Sequence, residues 1–397
     1  MDKYQFDYVD SHIVFDPSVV EPPPLERKFP VTSLALDVSG NCNMKCVYCA
    51  ENSTMPHRNY MSPQVLDKAL ELLFTWSSKG RLSIHLGSGE PLLKPDAVFD
   101  IGKKARAMAQ ERGRDLSLHI TTNGTLLTRE ICSWLVQDGW RIKISVDGPK
   151  LIHDLNRKDR KGGGTYARIE KHVQTLSSIP GFSTTSVFCH NTNPADVFYG
   201  IASLGVKNIE IVPVAQEYPS LLCLTDEDIT MYRRFLLSYV QKIAKGESLP
   251  LVTRFVKKLQ RVLGFGNSYV PCGAGRSFLA VAPDKSLYPC FRFVGIGTYY
   301  LGNLDTGVDT ERAHKFQAQG GRPYSERACN ACWAAPLCGG PCFACAELLF
   351  YKNGEPSPDY CAMVKADCEA ALWLAQTLRE KDPERLVTFL GIQVGED

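Results

Sequence analysis

The chain has 397 residues, of which 44% are hydrophobic and 22% charged, a globular rather than disordered composition with room for two or three domains. Lysine and arginine total 45 against 43 acids, a net charge of +2 without the basic surplus of a chain that grips phosphate backbones, so no nucleic-acid partner is expected. The N-terminus has no basic segment followed by an apolar run, and no later window reaches the span of a membrane helix, which predicts a cytoplasmic protein with no membrane partner. A reducing cytoplasm keeps the 15 cysteines as thiols, and clustered thiols there point to metal rather than to disulfides.

Residues 1–30 read as an irregular extension closed by the stiff run Pro22-Pro23-Pro24. From Val31 short aliphatic runs alternate with helical patterns. Strands are predicted over 33–39, 82–86, 116–122, 141–147, 185–191 and 208–214, with helices over 62–77, 96–112, 129–139, 166–178 and 196–204. Ser62-Pro63 supplies a cap and a first-turn proline, and Gly124 and Gly139 punctuate the hand-over between elements. Strands alternating with helices imply parallel pairing through right-handed crossovers, hence a barrel or open α/β sheet with its chemistry at the strand C-termini. Residues 31–215 form that unit. Residues 216–270 read as a helical connector, in which VTRFVKKLQRVL is basic on one side and is expected to present a solvated face. Residues 271–361 turn to short strands, glycines and dense cysteines, and 362–397 return to helix.

Directly after the first strand comes a C-x3-C-x2-C group, Cys42, Cys46 and Cys49, with no further cysteine until Cys132. Three thiolates on a four-iron cube leave one iron open for a small molecule. A three-cysteine zinc site completed by His57 is the competing arrangement. The spacing, with the aromatic Tyr48 just before the last cysteine, resembles the radical S-adenosylmethionine (SAM) superfamily. That resemblance implies a [4Fe-4S] cluster on Cys42, Cys46 and Cys49, its open iron chelated by the amine and carboxylate of SAM. The segment Gly87-Ser88-Gly89-Glu90-Pro91 resembles the family's glycine-glycine-glutamate-proline stretch, which holds the SAM ammonium by backbone and carboxylate; Ser88 stands where the first glycine usually does. Asn123, at the end of the third strand, and Ser145 and Asp147, at the end of the fourth, stand where family members contact the ribose or carboxylate of SAM. Tyr48 and Arg157 complete the implied SAM contacts. The segment from Ser145 through His153, Asp154 and Arg157 to Gly162-Gly163-Gly164 resembles more narrowly the sulfatase-maturase and peptide-modifying branch.

The rear cysteines run Cys272-x17-Cys290, then Cys329-x2-Cys332-x5-Cys338-x3-Cys342, then x18 to Cys361. Two lobes of thiols suit polynuclear sites better than one zinc, although two zinc sites remain the competing reading. The array resembles the SPASM domain of peptide-maturing radical SAM enzymes, with Lys285 standing where that pattern has a glycine four residues short of Cys290. By the family's wiring, Cys272, Cys290 and Cys342 would ligate the nearer auxiliary cluster, and Cys329, Cys332, Cys338 and Cys361 the farther one, both expected as [4Fe-4S]. Some relatives add an eighth cysteine shortly before the first, but residues 264–271 contain none, so the fourth position of the nearer cluster is open, taken by substrate, or filled by Cys345 or another residue. Cys132 and Cys189 read as buried inert thiols, Cys223 as a loop residue and Cys368 as part of the terminal helix.

The expected fold is therefore a partial (β/α)6 TIM-like barrel followed by a small cysteine-rich α+β domain binding two auxiliary iron–sulfur clusters. The resemblance implies reductive cleavage of SAM to a 5′-deoxyadenosyl radical and hydrogen abstraction from a peptide or protein, with a thioether or carbon–carbon cross-link favoured. A small-molecule dehydrogenase acting on an aminosugar or cyclitol, a sulfatase-maturase-like oxidase and a non-catalytic zinc scaffold are the alternatives. Sulfatase maturases place an aspartate base after the second array cysteine, where this chain has Phe291. The expected partners are an external low-potential electron donor of the flavodoxin or ferredoxin type and, where a leader is read, a separate leader-binding protein. No catalytic acid or base is assigned by the pattern.

Overall fold

The structure, a computed structural model, describes residues 31–49, 59–77, 80–190, 192–265, 271–320, 329, 331–351, 354–386 and 389. The expected extension over 1–30 and His57 lie outside the described residues.

Among the described residues eleven strands form one sheet in the order β11-β10-β9-β8-β1-β2-β3-β4-β5-β6-β7. They are β1 (Ser33–Leu36), β2 (Leu82–Leu86), β3 (Leu116–Thr122), β4 (Arg141–Ser145), β5 (Ser183–Phe188), β6 (Asn208–Pro213), β7 (Leu251–Val252), β8 (Phe278–Val281), β9 (Ser286–Tyr288), β10 (Gly302–Asn303) and β11 (Gly307–Val308). From β8 through β1 to β7 every neighbour is parallel, and β8 to β11 continue as an antiparallel meander. Six strands fall where aliphatic alternation predicts them. β1, β4 and β5 end earlier than expected, and the residues released beyond them, such as Asp37, Val146 and Asp147, turn into the loops that build the site.

Alternation explains the two faces. Along β2, Leu82, Ile84 and Leu86 are buried with the aliphatic core, whereas Ser83 and His85 point the other way. On that second face Ser83 donates to Ser33 across the β1–β2 pair, His85 stacks on His119 at 4.4 Å between centroids, and Lys143 on β4 reaches Glu210 on β6 at 2.8 Å. The connecting helices start where capping residues satisfy their first amides: Ser62 accepts from Val65 N, Thr128 from Ile131 N, and Thr225 with Asp228 closes a capping box.

Two expectations about the middle of the chain are corrected. The connector is not purely helical, because Leu251–Val252 adds β7 to the edge of β6. Nor is its basic helix a solvated face. Helix Thr253–Val262 lies between β6 and the long helix Pro358–Lys381, so Lys258 is buried and Arg254 is 2.6 Å from the buried Asp367. Lys258 Nζ donates to Leu337 O at 3.1 Å, and Arg261 Nη1 donates to Leu337 O and Cys338 O at 2.8 Å. Those carbonyls end the short helix Ala335–Cys338 and have no helical partner of their own, so the cations meet an acceptor demand inside the fold. A short helix, Lys150–Asn156, was not expected from the pattern.

The cysteine-rich segment also joins the sheet directly, through β8 beside β1. The turn into β9 places Lys285 at φ 72°, the left-handed region that favours the glycine its sequence pattern calls for. None of the described helices is long and apolar enough to cross a membrane.

Candidate active site

At the C-terminal ends of β1 to β6 a cavity of about 270 Å³ opens, lined by Cys42, Cys46 and Cys49. The loop carrying these thiols is held on both sides. Lys45 N donates to Lys158 O and Val47 N to Asn156 O, while Arg160 clasps Asn41 Oδ1 and Cys42 O at 2.7 and 2.6 Å. From the barrel side Glu90 N donates to Asn41 O at 2.8 Å. That approach needs a glycine next door: at Gly89, φ +59°, a Cβ would lie 2.2 Å from Asn41 O.

The donor set fits a cluster with an open position. Three thiols face one cavity, Met44 N points at Cys42 Sγ from 3.4 Å, and Asn123 Nδ2 points at the same sulfur from 3.8 Å. Such N–H groups around thiolate sulfur are the usual surroundings of iron–sulfur ligands. Burial pushes the Cys42 thiol up to about 11, so loading metal there must displace protons.

Behind the triad lies a buried charged network. Tyr48 donates to Asp147 Oδ2 and receives from Arg157 Nη1, and Asp147 Oδ1 accepts from Val187 N. Burial opposes the Arg157 charge, but Tyr48, Cys46 and Asp147 outweigh it and raise its pKa. Burial raises Asp147 and Glu90 against the pull of Arg157 and of their hydrogen bonds. Glu90 is fully enclosed, accepting from Asn123 N, Thr122 Oγ1 and Leu92 N at 2.6, 2.7 and 3.0 Å. His153 is held down to about 3 by burial and bonds Thr165 Oγ1, a neutral structural role.

Of the residues expected at SAM, Tyr48, Gly87, Gly89, Asn123, Ser145 and Arg157 line the cavity, whereas Ser88, Glu90 and Asp147 sit behind it. Pattern reading missed Arg160, Gln216 and Arg292, and named Phe291 only as the residue standing where maturases have an aspartate. Gln216 donates to Tyr48 O, and Phe291 and Arg292 form part of the cavity wall. Only the last two carried a signal, their place immediately after Cys290.

The rear thiols fall into two neighbourhoods. Cys272, Cys290 and Cys342 feel one another's charge, and burial with these neighbours holds Cys290 up at about 12. Cys361 feels Cys338, Cys329 and Cys332, with burial pushing it too up to about 12. Among the described residues, no three His, Cys, Asp or Glu side chains converge as the ligands of a single ion would. Cys132, Cys189, Cys223 and Cys368 are buried.

Residues 36–197 match the Radical SAM superfamily. The cysteine-type anaerobic sulfatase-maturating enzyme of Clostridium perfringens (strain 13 / Type A) is 24% identical over 339 residues, 80% of this chain and 90% of that protein. The solved structure of native anSMEcpe with bound AdoMet and Kp18Cys peptide superposes with a TM-score of 0.74 at 23% identity, covering 88% of this chain and 99% of that one. Streptococcus suis SuiB bound to precursor peptide SuiA shares the fold at a TM-score of 0.53 and 16% identity, covering 79% of this chain and 72% of that one. Residues 36–197 thus carry the match to the radical SAM superfamily, whose enzymes work with a [4Fe-4S] cluster and S-adenosylmethionine.

Proposed function

We propose that this enzyme oxidatively modifies a peptide or protein in the cytoplasm, with a thioether or carbon–carbon cross-link in a ribosomally made peptide as the favoured product. The observation that carries this reading is the shared cavity: the wall that begins at Cys42, Cys46 and Cys49 ends at Phe291 and Arg292, next to the array cysteine Cys290. A substrate lying over the triad therefore reaches Phe291 and Arg292, the two residues that follow Cys290. Likeness to anSMEcpe and SuiB, both solved with peptides, supports a peptide over an aminosugar or cyclitol.

The cluster and SAM supply a 5′-deoxyadenosyl radical that removes hydrogen from the substrate. In this reading Cys42, Cys46 and Cys49 hold the cluster. Gly87, Ser88 and Gly89 receive the SAM ammonium along their backbone, with Glu90 behind them fixing the loop and supplying negative charge. Asn123 and Ser145 face the ribose and carboxylate. Arg157 Nε, buried without an acceptor, offers a donor to the same anion, while Asp147 holds Arg157 and Tyr48 in place. Cys272, Cys290 and Cys342 ligate the nearer auxiliary cluster and Cys329, Cys332, Cys338 and Cys361 the farther one; seven thiols in two neighbourhoods are more than one zinc ion takes. The units are the barrel over 31–215, the connector over 216–270, the cluster domain over 271–361 and the terminal helix beyond. A flavodoxin- or ferredoxin-type protein delivers electrons, and a separate protein presents any leader.

Similarity to the maturase over 339 residues favours formylglycine formation as a second reading. Against it, the cavity wall carries Phe291 where maturases have an aspartate, and the described residues lining it include no carboxylate side chain. Anaerobic reconstitution with SAM, reductant and candidate peptides separates the readings by mass spectrometry. Loss of a hydrogen pair with a new bond between two peptide residues is expected. An aldehyde at a cysteine or serine would establish the second reading, and turnover of small molecules alone would defeat both.

A further inference from the structure

We propose that Cys345 is the fourth thiolate of the nearer auxiliary cluster, an assignment that rests on the two-cluster reading above. Cys342 caps the short helix Phe343–Leu348 and Cys345 stands three residues on, a spacing that brings both thiols to one side of the turn. The buried Cys345 packs with Cys342 in one core cluster and hydrogen-bonds it, with Cys290 and Arg292 as charged neighbours. Cys290 in turn lies in the field of Cys342 and Cys272, so the four sulfurs form one connected set.

The remaining surplus thiols are placed elsewhere. Cys132 faces His172, Cys189 its neighbour Val187 and Cys223 Ser220. Cys368 sits by Cys338 in the farther lobe, which already has four cysteines. Residues 264–271 supply no upstream cysteine, so Cys345 meets a specific shortage.

Four protein thiolates leave no coordination site for substrate at that wall. Contact with substrate there falls to Phe291 and Arg292, and the role left for the nearer cluster is to exchange electrons rather than to bind a substrate thiol.

The test uses the full chain carrying Cys42→Ala, Cys46→Ala and Cys49→Ala, which removes the front cluster. Two rear cubes correspond to about eight iron and eight sulfide per chain in this parent. A parent holding zinc, or only one cube, defeats the two-cluster reading before Cys345 is altered. Adding Cys345→Val should lower iron to about seven with a three-iron signal on oxidation, or leave a cube whose electron paramagnetic resonance shifts with added 2-mercaptoethanol. The unaltered signal of the farther cube shows that the domain is folded. Cys345→Ser, which keeps the volume and an oxygen ligand, should retain more iron than Cys345→Val with a shifted spectrum. Parent-like iron, Mössbauer and resonance spectra in Cys345→Val overturn the assignment. Loss of both cubes in Cys345→Val with parent-like spectra in Cys345→Ser overturns it too, since that pattern reports packing rather than ligation.

Discussion

Tyr48 donates its phenolic hydrogen to Asp147 Oδ2 across 2.5 Å, tying the residue before the last triad cysteine to the loop that follows β4. Arg157 Nη1 donates to the same phenolic oxygen at 2.7 Å, so one hydroxyl joins two buried, oppositely charged groups. Tyr48→Phe leaves both short of a partner. Loss of a buried hydrogen bond with its partners left behind costs about 1–3 kcal/mol, so denaturant unfolding should show a drop of that size, with weaker SAM binding by calorimetry. Unchanged stability and affinity would mean that the network does not position the triad.

Gly89 tests the seam between the triad loop and the barrel. Its φ of +59° and the 2.2 Å approach of an added Cβ to Asn41 O leave no room for alanine without moving backbone. Gly89→Ala should abolish 5′-deoxyadenosine formation and lower front-cluster iron while the rear iron stays, read by product chromatography and iron assay.

Lys285 occupies a left-handed position at φ 72°, its ammonium 2.9 Å from Asp305 at an exposed site. Glycine relieves the backbone and loses a surface ion pair worth a few tenths of a kcal/mol, so Lys285→Gly should be neutral to slightly stabilising. Lys285→Val, β-branched at the same φ, should lose about 1–2 kcal/mol. A valine variant as stable as the glycine variant would contradict this backbone assignment.

The stacked pair His85 and His119 predicts acid sensitivity. Burial, with Lys143 nearby, holds His85 down to about 4, and burial with His85, Arg141, Lys143 and Arg81 holds His119 down to about 3. Both folded values lie below the unfolded value near 6.5, so the unfolded chain binds more protons between these limits. Stability is full above about pH 6.5 and falls as pH drops towards 4, by at most about 1.4 kcal/mol per pH unit for each histidine. His119→Phe should flatten the difference in unfolding free energy between pH 7.5 and 5.5; an unaltered slope would assign the acid loss to other groups.

The six front strands were legible because side-chain alternation acts over a few residues, and the helix starts because capping chemistry is equally local. The triad and the array stood out because metal ligation demands particular residue types at close spacing. Even Lys285 was marked, as a lysine where the pattern asks for glycine. The inward packing of Arg254, Lys258 and Arg261 was not legible, because their partners Asp367, Leu337 and Cys338 are distant in the chain.

The chain's own order determined which residues could make strands, caps and thiolate ligands, since those properties depend on near neighbours. Tertiary structure alone decided that β8 lies beside β1, that Arg292 reaches the cavity, and that the pair Cys342 and Cys345 comes near Cys290. Each of these depends on how separate segments close around a common core, which no local spacing encodes.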